Sequence, residues 1–166
     1  MAGRPSRRHV LSKRDVKRLV ARVEEEVPGF SLSARDRVEL VDYGEFIVYM
    51  VNGKPGLVEL GGRLLPHLRW LLEHGVSGLP SVRVDPGATR AVGRGADLMV
   101  PGITRVDGDF EEGSVVVVVD DRYGAPVAVG VALMGSGEVR SRLEGERRGK
   151  AVKVLHRPGD KVWEAR

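Results

Sequence analysis

Cysteine is absent from this sequence, which excludes disulfides and thiolate metal centres and agrees with a reducing, cytoplasmic setting. Histidine is sparse. His9, His67, His74 and His156 are scattered, and the step from His67 to His74 is two helical turns, not the i, i+4 pair of a zinc helix. No metal and no cofactor is expected. Aromatic residues make up 5% of the chain, and Trp163 is read as a core residue plugging a small barrel, in preference to a stacking platform. No apolar run approaches the roughly twenty residues of a membrane helix. The basic start MAGRPSRRH has no apolar stretch behind it, so neither a secretory signal nor a membrane partner is expected. The motifs GxxxxGK(S/T) and GxSxG are missing, and Gly93-x-Gly95 closes a helix where a dinucleotide fingerprint would open one. The pairs Asp107-Asp109, Glu111-Glu112 and Asp120-Asp121 sit in apparent turns, where Asp is an ordinary turn former. Nothing in the sequence points to an enzyme.

What is present is positive charge. The net charge is +4 over 166 residues, and 21 of the 27 cations are arginine, which suits bidentate phosphate contact and base stacking. Biased genomic base composition explains the arginine equally cheaply. The balance favours polyanionic partners without establishing nucleic-acid binding by itself. A hydrophobic fraction of 42% is enough for a core, in one medium domain or two small ones.

Along the chain, residues 1–11 read as a flexible basic arm. Ser12 and Asp15 form a capping-box variant, and Val16, Leu19, Val20, Val23 and Val27 fall at helical spacing, so an amphipathic helix is expected over 12–26. Its other face carries Lys13, Arg14, Lys17, Arg18 and Arg22. Between Arg4 and Arg22 eight cations meet one anion, Asp15. Either this is a solvated face, or it meets phosphate or a ribosome, since crowded cations repel unless something neutralises them. Strands are expected over 38–43, 46–51 and 57–60 around an Asn52-Gly53 turn. A second helix is expected over 65–72, with Pro66 in its first turn and Gly75 as its C-cap. A short linker at 75–80 then separates an α+β domain, 1–78, from a β-rich domain, 79–166. In the latter, Asp85-Pro86 opens a short helix over 86–92, and strands at 97–100 and 103–106 flank a break at Pro101-Gly102. The apolar run 115–119 reads as a strand buried on both faces, with 128–133 as its partner. A short helix over 138–144 and strands at 152–155 and 161–164 complete a barrel.

The ordered series VDPGATRAV, GADLMVPGI, Phe110 and Gly113 before a valine strand, Gly124, AVGVAL and GKAVKVLHRPGDKVWE resembles the PUA domain, an RNA-binding pseudobarrel, over most of residues 80–164. VPGF at 27–30, VNGKPGLVEL at 51–60 and LPHLRWLLEHG at 65–75 are similar to the domain preceding the PUA domain in the group of the malignant-T-cell-amplified protein and ligatin. Those are translation factors of the small ribosomal subunit, with compact archaeal relatives. The resemblance implies an α+β chain ending in a β pseudobarrel, an RNA-binding monomer that contacts tRNA, small-subunit rRNA or both. In the family, the helix corner at 86–92 lies along RNA phosphates and ends, and in the translation factors it is associated with the CCA end of tRNA. Carried onto this sequence, Arg90, Arg94 and Arg105 meet phosphates, and Gly95, Ala96, Pro101 and Gly102 permit close approach of the RNA backbone. The alternative that the glycines and Pro101 serve only the turns stays open. Lys13, Arg14, Lys17, Arg18 and Arg22 become a docking surface for a larger particle, with the small ribosomal subunit as the expected partner. Two other functions remain: an RNA-targeting subunit acting in trans with a modification enzyme, and a protein-interaction module.

Overall fold

The computed structural model describes residues 3–165. Its first half is a five-stranded antiparallel meander, β1 (Arg7–Val10), β2 (Val38–Asp42), β3 (Phe46–Val51), β4 (Lys54–Leu60) and β5 (Arg63–Pro66), paired in that order. Helix α1 (Lys13–Glu26) starts as expected, with the Ser12 hydroxyl accepting from the Asp15 amide at 3.1 Å. It buries Val16, Leu19 and Val23 against Val38, Leu57 and Leu64 on one face of the sheet. The β3–β4 turn places Asn52 at φ +50° and Gly53 at φ +84°, the left-handed pair that a two-residue hairpin requires.

Two expectations in this half are corrected. Within the expected basic arm, whose residues 1–2 lie outside the described residues, Arg7–Val10 forms a strand. It covers the edge of β2, and Arg8 pairs with Glu39 at 2.8 Å. A fully exposed edge strand of two arginines, a histidine and a single valine carries no hydrophobic alternation to read. The second helix begins later than expected. Leu64 and Leu65 pair with Glu59 and Val58, and Pro66 ends β5, so α2 spans Leu68–His74 with His67 as its N-cap.

The second half contains β6 (Ser81–Val84), α3 (Pro86–Gly93), β7 (Leu98–Met99), a 3-10 turn at Val100–Gly102, β8 (Ile103–Asp107), β9 (Val115–Asp120), β10 (Pro126–Ala132), α4 (Ser136–Glu144), β11 (Lys150–His156) and α5 (Lys161–Glu164). The strand order is β7-β11-β10-β9-β6-β8, with β6 and β9 parallel. Strands β7 and β8 occupy opposite edges of this sheet, yet only the 3-10 turn joins them, so the sheet curls into an incomplete barrel. Val116 and Val118 point into the barrel core. Val115, Val117 and Val119 pack outward against Val41, Phe46, Val48 and Val58 on the free face of the first sheet. The fold is therefore α+β, with a pseudobarrel at its C-terminal end.

The last expected strand, 161–164, is instead a single helical turn. Asp160 caps it, its carboxylate accepting from the Trp163 amide at 2.7 Å. Trp163 does not plug the barrel: it is half-buried beneath the Arg69 guanidinium, 4.0 Å from the ring centroid, beside α2.

Two histidines that are distant in sequence meet here. His67 and His156 are fully buried with ring centroids 4.9 Å apart. His67 Nδ1 accepts from the Arg69 amide (3.1 Å), so its Nε2–H is the donor to the Val162 carbonyl (3.2 Å). His156 Nε2 accepts from the Leu68 amide (3.0 Å), which leaves Nδ1–H to donate to Asp160 (2.9 Å). Every ring nitrogen has a partner, and among the described residues no group of three or more His, Asp or Glu is arranged to hold a metal. Burial, with the neighbouring His156 second, drives the His67 imidazole down to about 3.

Because this value lies below the ordinary 6.5 of the unfolded chain, the unfolded state binds the extra proton between the two values. The neutral ring's contribution is whole above pH 6.5 and drains away as pH falls toward 3, at about 1.4 kcal/mol per unit. Urea unfolding at pH 4.5 should therefore give a stability about 2–3 kcal/mol below that at pH 7.5 from this group; equal stabilities would mean that the ring is charged in the folded protein. A second expectation concerns Gly102, where an added Cβ would stand 2.5 Å from the Ala88 Cβ of α3. Gly102→Ala should cost about 1–3 kcal/mol in thermal unfolding, and an unchanged melting temperature would show that α3 is not clamped there.

Candidate nucleic-acid interface

Asp85 starts α3 by accepting from the Ala88 amide at 2.8 Å, with Pro86 in the first turn. The helix ends in a Schellman motif. The Ala96 amide donates to the Ala91 carbonyl (3.1 Å) and the Gly95 amide to the Val92 carbonyl (2.9 Å), with Gly95 at φ +93°. This geometry needs glycine, and it turns Arg94 outward beside Arg90. Both guanidinium groups are exposed and neither has a partner among the described residues.

A shallow cavity of about 310 Å³ lies between α3 and the segment 97–102, with Ala88, Ala91 and Leu98 in its lining and Met99, 43% exposed, at its lip. Pro101 is exposed, and Gly102 seats the segment against Ala88. Ala96 is exposed beside Gly95. Arg90, Arg94, Gly95 and Ala96 thus lie exposed at the end of α3, and Pro101, also exposed, lines the cavity on the helix's flank with the half-buried Gly102.

Arg105 does not join them. It lies on β8 and makes a two-pronged bond to Asp107, at 2.8 and 3.1 Å, while Arg83 reaches the same carboxylate at 3.2 Å. Hydrogen bonding from Arg105 first, offset in part by burial, holds the Asp107 carboxyl below its usual range. A cation that the local sequence does not point to, Arg157, stands at the end of α3. Its guanidinium donates to the Gly93 carbonyl at 3.2 Å, and its Nε would lie 3.0 Å from a Cβ at Gly95. Only the bare backbone of Gly95 leaves room for it. Arg157 comes from the opposite end of the barrel sequence, and no local pattern links it to the α3 corner.

On α1, Lys13, Arg14 and Lys17 are exposed without partners among the described residues, and Arg18 stands 3.8 Å from Asp15. Arg22 differs from them. Its side chain is 30% exposed, is held by Glu26 and Glu59, and also donates to the Gly62 carbonyl at 3.2 Å. Burial opposes its charge, but the two carboxylates more than offset that and raise its pKa. Its charge is already spent inside the molecule.

The PUA domain family matches residues 80–157, and a domain of unknown function, DUF1947, matches residues 7–74. A crystallised PUA-domain protein of Aeropyrum pernix, solved as a tartrate complex, is 36% identical with a TM-score of 0.86, covering 95% of this chain and 90% of that one. An uncharacterised protein of Methanocaldococcus jannaschii is 35% identical over 163 residues, 95% of each chain. Translation machinery-associated protein 20 of Saccharomyces cerevisiae is 29% identical over 136 residues, 78% of this chain and 72% of that protein. With a family match to each half and a relative that matches nearly end to end, the chain belongs to the PUA-domain proteins that carry DUF1947 ahead of the PUA domain, a family with archaeal members and with homologues associated with the translation machinery.

Proposed function

We propose that this protein is a non-catalytic RNA-binding factor of translation, cytoplasmic and monomeric, whose α3 corner takes the phosphates of a tRNA. The observation that carries the proposal is the pair Arg90 and Arg94, two unpartnered guanidinium groups turned outward by a glycine-closed helix end. Guanidinium forks suit phosphate, and exposed backbone at Gly95 and Pro101 lets an RNA strand come close. The likeness to translation machinery-associated protein 20 supports the setting. The unpartnered cations Lys13, Arg14 and Lys17, with Arg18, support a second role for α1, docking on a larger particle such as the small ribosomal subunit. We place the join between the two units near residue 78, between the matches at 7–74 and 80–157.

Filter binding of tRNA over a range of salt tests the corner. Each phosphate neutralised contributes roughly −0.7 to −0.9 to the slope of log K against log salt. Arg90→Ala and Arg94→Ala should each flatten the slope by about that amount while stability stays within about 0.5 kcal/mol, and Arg105→Ala should change it less. A salt response that is flat in the unaltered protein would reject phosphate binding. For docking, Lys13→Glu with Arg14→Glu should abolish co-sedimentation with small ribosomal subunits at about 100 mM salt, where charges more than roughly 10 Å apart are screened. Binding of free tRNA should persist in that variant, and joint loss of both activities would refute the division of labour.

A further inference from the structure

Between β1 and α1 runs a groove of about 370 Å³. Leu19, Leu40 and Tyr49 line it with apolar surface, Arg7 and His9 line it from the strand, and Asp15, Arg18 and the already paired Arg22 from the helix. The two-residue period of β1 sorts its side chains: Arg7 and His9 enter the groove, while Arg8 turns away to Glu39. Arg7 has no partner among the described residues, and Arg18 has only the loose pairing with Asp15 at 3.8 Å. Arg4, Lys13, Arg14 and Lys17 add four more unpartnered cations on the same strand-and-helix segment. The chain has carboxylates to spend and spends them elsewhere: Glu26 and Glu59 close on Arg22, next along the helix from Arg18.

We infer that this groove binds the backbone of single-stranded RNA, which makes the protein a two-point RNA holder with the α3 corner as its other point. The inference deepens the docking role proposed for α1 and rests on that reading, and it names the chemistry that the face recognises. Cations that outnumber their counter-charges, with Asp15 the one carboxylate in the lining, keep one another at a cost that a polyanion removes. Guanidinium groups on both walls fit phosphate oxygens as forks. An apolar lining between charged walls suits a strand that offers a base or ribose together with its phosphates. Paired RNA keeps its bases stacked away from such a surface. An acidic polypeptide would satisfy the walls and leave the apolar lining without a use.

The test uses the full chain carrying Arg90→Ala and Arg94→Ala, so that the α3 corner no longer contributes, with fluorescein-labelled decauridylate as the probe. Adding Arg7→Ala and Arg18→Ala should weaken decauridylate binding at least about tenfold at 100 mM salt. It should also flatten the salt slope by about 1.4, two contacts at roughly 0.7 each for a single strand. Arg7→Lys with Arg18→Lys should keep most of the slope and recover only part of the affinity, since the charge remains and the fork is lost. Labelled decaglutamate is the control: a groove variant that loses decaglutamate and keeps decauridylate identifies an acidic protein partner and overturns the inference. Loss of neither probe, with an unchanged melting temperature, also overturns it. Should Lys13→Glu with Arg14→Glu still abolish co-sedimentation while decauridylate is indifferent to Arg7 and Arg18, the docking role survives and the groove assignment alone fails.

Discussion

Five consecutive valines on β9 set the geometry on which the rest of the molecule depends. An extended strand sends alternate side chains to opposite sides, so Val116 and Val118 fill the barrel while Val115, Val117 and Val119 complete the core of the first sheet. One strand serves two cores, and neither can move without the other. Helix α2 and the turn α5 seal the margin of this shared layer through Leu68, Leu71 and Val162. The buried histidine pair satisfies the backbone groups that would otherwise be stranded there. With the layer fixed, α1 is held on one face of the first sheet and α3 on the barrel, so the two basic regions belong to different cores.

Charge is distributed as purposefully as apolar surface. Arg22 and Arg83 are matched by carboxylates from other elements and Arg105 by one on its own strand, and Arg63 and Arg140 tie loops together by donating to the carbonyls of Gly113 and Gly108. Cations without such partners among the described residues include Arg7 on β1, Lys13, Arg14 and Lys17 on α1, and Arg90 and Arg94 at the end of α3, with Arg35, Arg37 and Lys153 elsewhere. An arginine count alone could not separate these classes, because the same residue type builds the fold in one place and faces solvent in another.

Much of the fold was legible because its signals are local. The valine run, Asn52-Gly53 with its two positive φ angles, and Asp85-Pro86 at the start of α3 each carry their structure within a few residues. The elements that were misread carry theirs at a distance. Strand β1 is specified by the open edge of β2 and not by its own pattern, and β5 takes Leu65 and Pro66 from an apparent helix because β4 offers them partners. Segment 161–164 carries Val162 and Trp163, residue types favoured in strands, yet the Asp160 cap fixes it as a helical turn. The site divides in the same way. Arg90, Arg94 and Gly95 sit within six residues and were found together, whereas the spent charge of Arg22 depends on Glu59, 37 positions away, and Arg157 reaches the corner across 64.

The shared layer also orders events during synthesis. Val41, Phe46, Val48 and Val58 are made early and are joined by Leu68 and Leu71 of α2, but the rest of their cover begins at Val115 and runs to Ala165. Until β9 and the segments after it have left the ribosome, the emerging first sheet has one face packed under α1 and much of its other apolar face open to water. A nascent chain halted before β9 would therefore present a sticky surface, and the final turn at 161–164 is the latch that closes it.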